Sequence, residues 1–170
     1  IAFWRQVCSE HSLLRQWLER DGATAVKAIR ITENVLLEVD VMLGKILRTL
    51  PESERFQIVS ERDQFGCTIL HYAAAAQSGN LKSTETILCL IPESERVQTL
   101  NMQDHRGRTV LHQAARSGNY ECMDMVLSRY PESQRLQATH IQDQDGWTAL
   151  FHATLSGNIE CIKLLLSLYP

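Results

Sequence analysis

One period runs through this chain. Prolines that open Pro-Glu-Ser tripeptides stand at 51, 92 and 131, and a last proline at 170, giving spacings of 41, 39 and 39. The Ser-Gly-Asn tripeptides place their glycines at 79, 118 and 157, spaced 39 and 39. Between these landmarks the same stretch is said three times: GCTILHYAAAAQSGN at 66–80, GRTVLHQAARSGN at 107–119 and GWTALFHATLSGN at 146–158. The first copy carries two extra residues, YAAAAQ against QAAR. A fixed period with identical internal landmarks marks a repeat array, in which each unit buries its apolar face only against its neighbours.

The second copy shows what a unit is made of. Asp104-His-Arg-Gly107 is turn chemistry, with Gly107 free to take the positive φ of a tight turn. Thr109 stands where a helix N-cap is expected. Val110, Leu111, Ala114 and Ala115 then form a short apolar stripe at helical spacing, and the alanines allow a neighbouring backbone to approach closely. Gly118 in Ser117-Gly118-Asn119 suits a left-handed helix stop. A second helix is expected over YECMDMVLSRY, with Glu121 and Asp124 in its first turns and Arg129 in its last, the order the helix dipole favours. The unit is therefore two antiparallel helices and a projecting hairpin turn.

These residues resemble the ankyrin repeat, whose signature is Thr-Pro-Leu-His-x-Ala. The second copy matches with Asp104, Gly107, Thr109, Leu111, His112, Ala114 and Ala115; the first with Asp63, Gly66, Thr68, Leu70, His71, Ala73 and Ala74. The third matches with Asp143, Gly146, Thr148, Leu150 and Ala153, but has Phe151 where the family has His, with His152 beside it. The family's proline is replaced by Ile69, Val110 and Ala149. The period is also longer, 39 residues against about 33 for ankyrin repeats. The surplus lies in PESERFQ, PESERVQ and PESQRLQ, where proline at a first helical position and glutamate in the first turn predict a short third helical turn. Long copies with this insert are similar to arrays in effector proteins that intracellular bacteria inject into host cells. The resemblance implies an all-α ankyrin solenoid over residues 51–170, truncated at its C-terminus.

Residues 1–50 read as an N-terminal helical cap. Val35, Leu36, Val39, Leu43, Ile46, Leu47 and Leu50 make the stripe of a degenerate first repeat's second helix, and Phe3, Trp4, Val7, Leu14, Trp17 and Leu18 make another stripe upstream. A separate helical domain, or a surface that docks the array onto a sister domain, is the alternative. The net charge of −3 lacks the basic footprint of nucleic-acid recognition, and no apolar run approaches the roughly 18 residues of a membrane helix. Five cysteines without a CxxC argue against a zinc site, and they fit buried thiols in a reducing intracellular compartment. Stacked units about 10 Å apart keep Cys122 and Cys161 beyond the roughly 7 Å Cα limit of a disulfide. Starting at Ile1 and ending inside a repeat, the chain reads as a fragment of a longer protein.

Thr68-x-x-His71 and Thr109-x-x-His112 place a hydroxyl near a base, which is how nucleophilic catalysis begins. Recurrence at one place in successive units is a requirement of folding, not of catalysis, and the ankyrin resemblance implies that this histidine bonds between loops. No HExxH, P-loop or GxGxxG is present, so no catalytic residue, cofactor or metal is expected.

Ankyrin proteins bind partners through the positions that vary between copies, at hairpin tips and the inner face of the first helix. In the first copy these are Arg62, Gln64, Phe65 and Cys67; in the second Gln103, His105, Arg106, Arg108, Gln113 and Arg116; in the third Gln142, Gln144, Asp145, Trp147 and His152. Arginine beside exposed aromatics is the composition of binding hot spots. The expected function is a non-enzymatic protein-interaction module, an effector scaffold secreted into a host cytoplasm, whose concave face takes an acidic partner segment with an apolar anchor. The alternative is a targeting array of an enzyme whose catalytic domain lies elsewhere in a longer chain.

Overall fold

The computed structural model of the protein describes residues 56, 57, 59–75 and 81–169. The expected helices over 1–50, the first Pro-Glu-Ser at 51–53 and the first Ser-Gly-Asn at 78–80 lie outside the described residues. Among the described residues eight helices and no strand are present: α1 (Ile69–Ala75), α2 (Leu81–Leu90), α3 (Glu93–Leu100), α4 (Val110–Ser117), α5 (Tyr120–Ser128), α6 (Glu132–Thr139), α7 (Ala149–Ser156) and α8 (Ile159–Leu166). Each unit runs hairpin, first helix, second helix, and the first helices α1, α4 and α7 stack in that order. The chain is an all-α solenoid.

Local chemistry sets where these helices start and stop. Thr109 and Thr148 are extended at the N-caps of α4 and α7 (φ −86, ψ 173 and φ −93, ψ 170), and Gly118 and Gly157 close those helices at φ 68 and φ 73. The left-handed value is one that a side chain would disfavour. The asparagine after each glycine then opens the next helix. Asn119 accepts the Cys122 N–H at 2.9 Å and Asn158 the Cys161 N–H at 3.1 Å, satisfying donors that a helix start leaves open. The expected break at Ser-Gly-Asn is therefore a stop and a start in three residues.

The insert after each second helix is longer than the short turn expected. α3 and α6 each span eight residues. Pro92 and Pro131 stand just outside them, at ψ 145 and ψ 142, so the helices begin at the glutamates and not at the prolines. The far ends are pinned by burial of Thr99 and Leu100 in α3 and of Ala138 and Thr139 in α6.

The core is continuous across the units. α4 lies between α1 and α7, and Ala114 and Ala115 are 0% exposed there, as their size requires. Leu111, also fully buried, contributes about 2 kcal/mol by leaving water. The second helices add Ile87 and Leu88, then Met123, Val126 and Leu127, then Cys161 and Leu165.

Candidate partner-binding surface

Three hairpins project from the stack, and each is built on an aspartate. Oδ1 of Asp104 accepts the N–H groups of Arg106 (2.8 Å) and Arg108 (3.0 Å). Asp63 does the same for Phe65 and Cys67, and Asp143 for Asp145 and Trp147. Gly107, at φ 76, closes the tip of the second hairpin, and a Cβ there would lie 2.8 Å from the Gln144 nitrogen. That approach is used: the Gln144 N–H donates to the Arg106 carbonyl at 2.9 Å, as the His105 N–H donates to the Phe65 carbonyl at 2.8 Å. Main-chain bonds thus tie tip to tip along the array. Gln103 adds a side-chain strap, its Nε2 donating to the carbonyls of Gly107 (2.7 Å) and Gln142 (3.1 Å).

The repeated histidines join each helix to the next hairpin. The backbone N–H of Thr109 donates to Nδ1 of His112 at 3.1 Å, and an N–H can only donate. Nδ1 is therefore bare and Nε2 carries the proton, which it gives to the Trp147 carbonyl at 3.2 Å. His71 repeats this, from Thr68 to the Arg108 carbonyl at 3.1 Å. Burial holds both imidazoles below their ordinary value near 6.5, in the neutral form this geometry needs. Each threonine hydroxyl lies within 2.9 Å of Nδ1, yet Thr68 and Thr109 are 0% exposed and His71 and His112 no more than 1%. Nothing from solvent reaches the pair, and its visible work is to join the units.

The variable positions separate into two groups. Arg62, Phe65, His105, Arg106, Arg116, Gln144, Asp145 and Trp147 are exposed, as are Gln64 and Gln142. Cys67, Gln113 and His152, expected on the binding face, are buried instead. Gln113 and His152 turn inward because each bonds the aspartate of its own hairpin, Gln113 to Asp104 at 3.3 Å and His152 to Asp143 at 2.8 Å. The Cys67 thiol sits 3.9 Å from the Asp104 carboxylate, and burial together with that charge pushes it above its ordinary value. Arg108 is half-buried and committed: Nε and an Nη reach Asp104 Oδ2 at 3.0 and 2.8 Å. Burial opposes the charge of Asp104, but the bonds from Arg108 outweigh it and hold the carboxyl below its usual range. The arginine group expected together is thus narrowed to Arg106, in the hairpin, and Arg116, in the last turn of the eight-residue helix α4, which is about 12 Å long.

Apolar exposure is concentrated on the third unit, on whose outer side no further unit is stacked among the described residues. Trp147 (38% exposed) lies against Phe151 (41%), ring centroids 4.4 Å apart. Leu155, Ile159 and Leu166 are exposed on the same unit. Register could have shown this: residues 151, 155 and 159 stand where the second copy has His112, Arg116 and Tyr120. Leu127, the counterpart of Leu166, is buried in the second unit. Between the second and third hairpins a cleft of about 450 Å³ is lined by Gln103, His105, Gln142, Gln144 and the hairpin aspartates.

Among the described residues no group of three or more His, Cys, Asp or Glu is placed to hold a metal ion, and no helix is long and apolar enough to cross a membrane. Cys67, Cys89, Cys122 and Cys161 are free thiols, with burial pushing Cys122 up to about 11.

No curated protein sequence matches the chain. Its fold is similar to a chain in the crystal structure of the yeast ribosomal protein Rps3 in complex with its chaperone Yar1. The TM-score is 0.63 and the identity 23%, over 76% of this chain and 83% of that one. The family model for ankyrin repeats matches in three copies, over residues 41–135 and 74–169. With the hairpin aspartates, the Thr-x-x-His bridges and the stacked helix pairs in place, the chain belongs to the ankyrin-repeat family.

Proposed function

We propose that this chain is a non-enzymatic protein-interaction module that takes its partner on the hairpin tips and the adjoining concave face. The observation that carries this reading is the row of exposed tip side chains, Phe65, Arg106, Gln144 and Trp147, on hairpins bonded tip to tip by their main chains. The Trp147 N–H is bonded to Asp143 and its carbonyl to His112. An aromatic that is both exposed and preorganised loses little entropy on binding, which is how hot spots are built. Hairpin tips stabilise the fold little beyond their own bonds, so their side chains are free to serve a partner. The chaperone complex that contains the similar solved chain is in keeping with such a role.

The partner that fits is an acidic segment with an apolar anchor. Arg106, on the second hairpin, abuts the third, whose Gln144 N–H is bonded to its carbonyl, and Arg62 and Arg116 are exposed cations as well. Exposed guanidinium groups raise the association rate of an acidic partner in a salt-dependent way. The Pro-Glu-Ser inserts extend the proposal to an effector acting in a host cytoplasm, or to the targeting array of a longer enzyme. The test is a pull-down from host-cell and bacterial lysates with wild type, Trp147→Ala and Arg106→Glu. Loss of the same host proteins with both variants supports the reading. Unchanged recovery by both removes the hairpin tips from it, and partners found only in bacterial lysate remove the host role.

A further inference from the structure

Three different side chains do one job in the three units. The residue four places after each capping threonine is Tyr72, Gln113 and His152. Each reaches back nine residues to the second carboxylate oxygen of its own hairpin's aspartate: Tyr72 Oη to Asp63, Gln113 Nε2 to Asp104, and His152 Nε2 to Asp143. The first oxygen of the same aspartate holds the two N–H groups that shape the tip. We propose that this residue is the clasp that sets each hairpin, and that in the third, where the clasp is His152, the tip carrying Trp147 responds to protonation of the clasp.

The chemistry of the three clasps separates them. A phenol titrates about three units above neutrality and an amide not at all. Histidine is the side chain whose charge changes between about pH 5 and 8. With Asp143 ionised, Nε2 must hold the proton it gives to the carboxylate, 2.8 Å away. Nδ1 is then a buried nitrogen without a hydrogen-bond partner, so its protonation breaks no existing bond. The added charge falls beside Asp143 on one side and against the Trp147 ring, edge-on at 5.8 Å, on the other. From α4 the facing titratable group is His112, ring centroid at 5.5 Å. His112 already uses both nitrogens, on Thr109 and on the Trp147 carbonyl. On α8, which also packs on α7, Glu160 and Lys163 pair with each other at the surface, 3.0 Å apart. The responsive contact is thus His152–Asp143, and its charge passes to the Asp145 and Trp147 amides through the other carboxylate oxygen. The consequence for binding, a more cationic tip and tighter capture of an acidic segment as pH falls, rests on the function proposed above.

The test uses the whole chain and no partner, so its failure and the failure of the binding reading are distinguishable. Amide chemical shifts of Asp145 and Trp147 are followed by NMR from pH 7.5 to 5.5 in wild type and His152→Gln, the residue that makes the same clasp in the second unit. The expected result is a shift change in wild type that tracks the His152 Cε1–H titration and is lost in the glutamine variant. If the amides of the glutamine variant move as far as those of wild type, the proposal is overturned. Should that variant fail to fold, the wild-type comparison decides alone: different midpoints for the ring proton and the two amides overturn it.

Discussion

Nε2 of His112 lies 3.2 Å from the carbonyl oxygen of Trp147, thirty-five residues further along the chain. One side of the ring is tied to the start of its own helix and the other to the hairpin that carries the exposed aromatic pair. A single bond therefore belongs both to the stacking of the units and to the surface proposed for a partner.

The bond on the other side of the ring, from the Thr109 N–H to Nδ1, needs a neutral imidazole, which makes the fold acid-sensitive. In the unfolded chain histidine titrates near 6.5, whereas burial lowers the values of His71 and His112 in the fold. Their contribution is complete above about pH 6.5 and falls as the unfolded chain takes up protons that the fold refuses. The urea midpoint should be lower at pH 5.5 than at 7.5, measured in His152→Gln so that this third imidazole plays no part. A second decline belongs below the ordinary aspartate value of 3.8, because Asp104 and Asp143 also hold lowered values, against the opposing effect of burial. An equal midpoint at pH 7.5 and 5.5 would contradict the neutral bridge.

Ala114 is 0% exposed in α4, which α1 and α7 flank. A phenyl ring there has no space without parting the units. Ala114→Phe should lower stability by about 1–3 kcal/mol in urea denaturation. A midpoint equal to wild type would show that α4 does not stack where the structure places it.

Arg106 and Arg108 are two residues apart and should behave oppositely. Arg108 holds a carboxylate whose side chain is 1% exposed, and its own is 15% exposed. Losing those charged hydrogen bonds should cost about 2 kcal/mol in Arg108→Ala. Arg106 points to solvent, and Arg106→Ala should stay within about 0.5 kcal/mol of wild type. Equal effects in thermal or urea denaturation would refute the assignment of Arg108 to the scaffold and Arg106 to the surface.

What could be read from the sequence was whatever local chemistry fixes. The period, the hairpin glycines, the capping threonines and the alanine stripe all act within a few residues, and the structure has them where the sequence predicts. Gln113 and His152 were misread as surface because the aspartate that turns each inward lies nine residues away. Arg108 looked like a free cation for a similar reason, its partner being a buried carboxylate four residues back. The asparagine caps at 119 and 158 were within reach of local reasoning, since asparagine just before a helix is an ordinary N-cap. Exposure of Leu155, Ile159 and Leu166 depends on what covers a unit's outer side, which no single copy's sequence records.

The most direct test of the interaction surface is quantitative capture of partner by wild type and Trp147→Ala, with each protein's folding checked by urea denaturation. Removing the indole also removes its contact with Phe151, an aromatic pairing worth about 1 kcal/mol, so the variant should remain folded. Binding should weaken by about 2 kcal/mol, close to thirtyfold, if Trp147 is the anchor. A folded Trp147→Ala protein that captures the same partners as tightly as wild type would contradict the central claim.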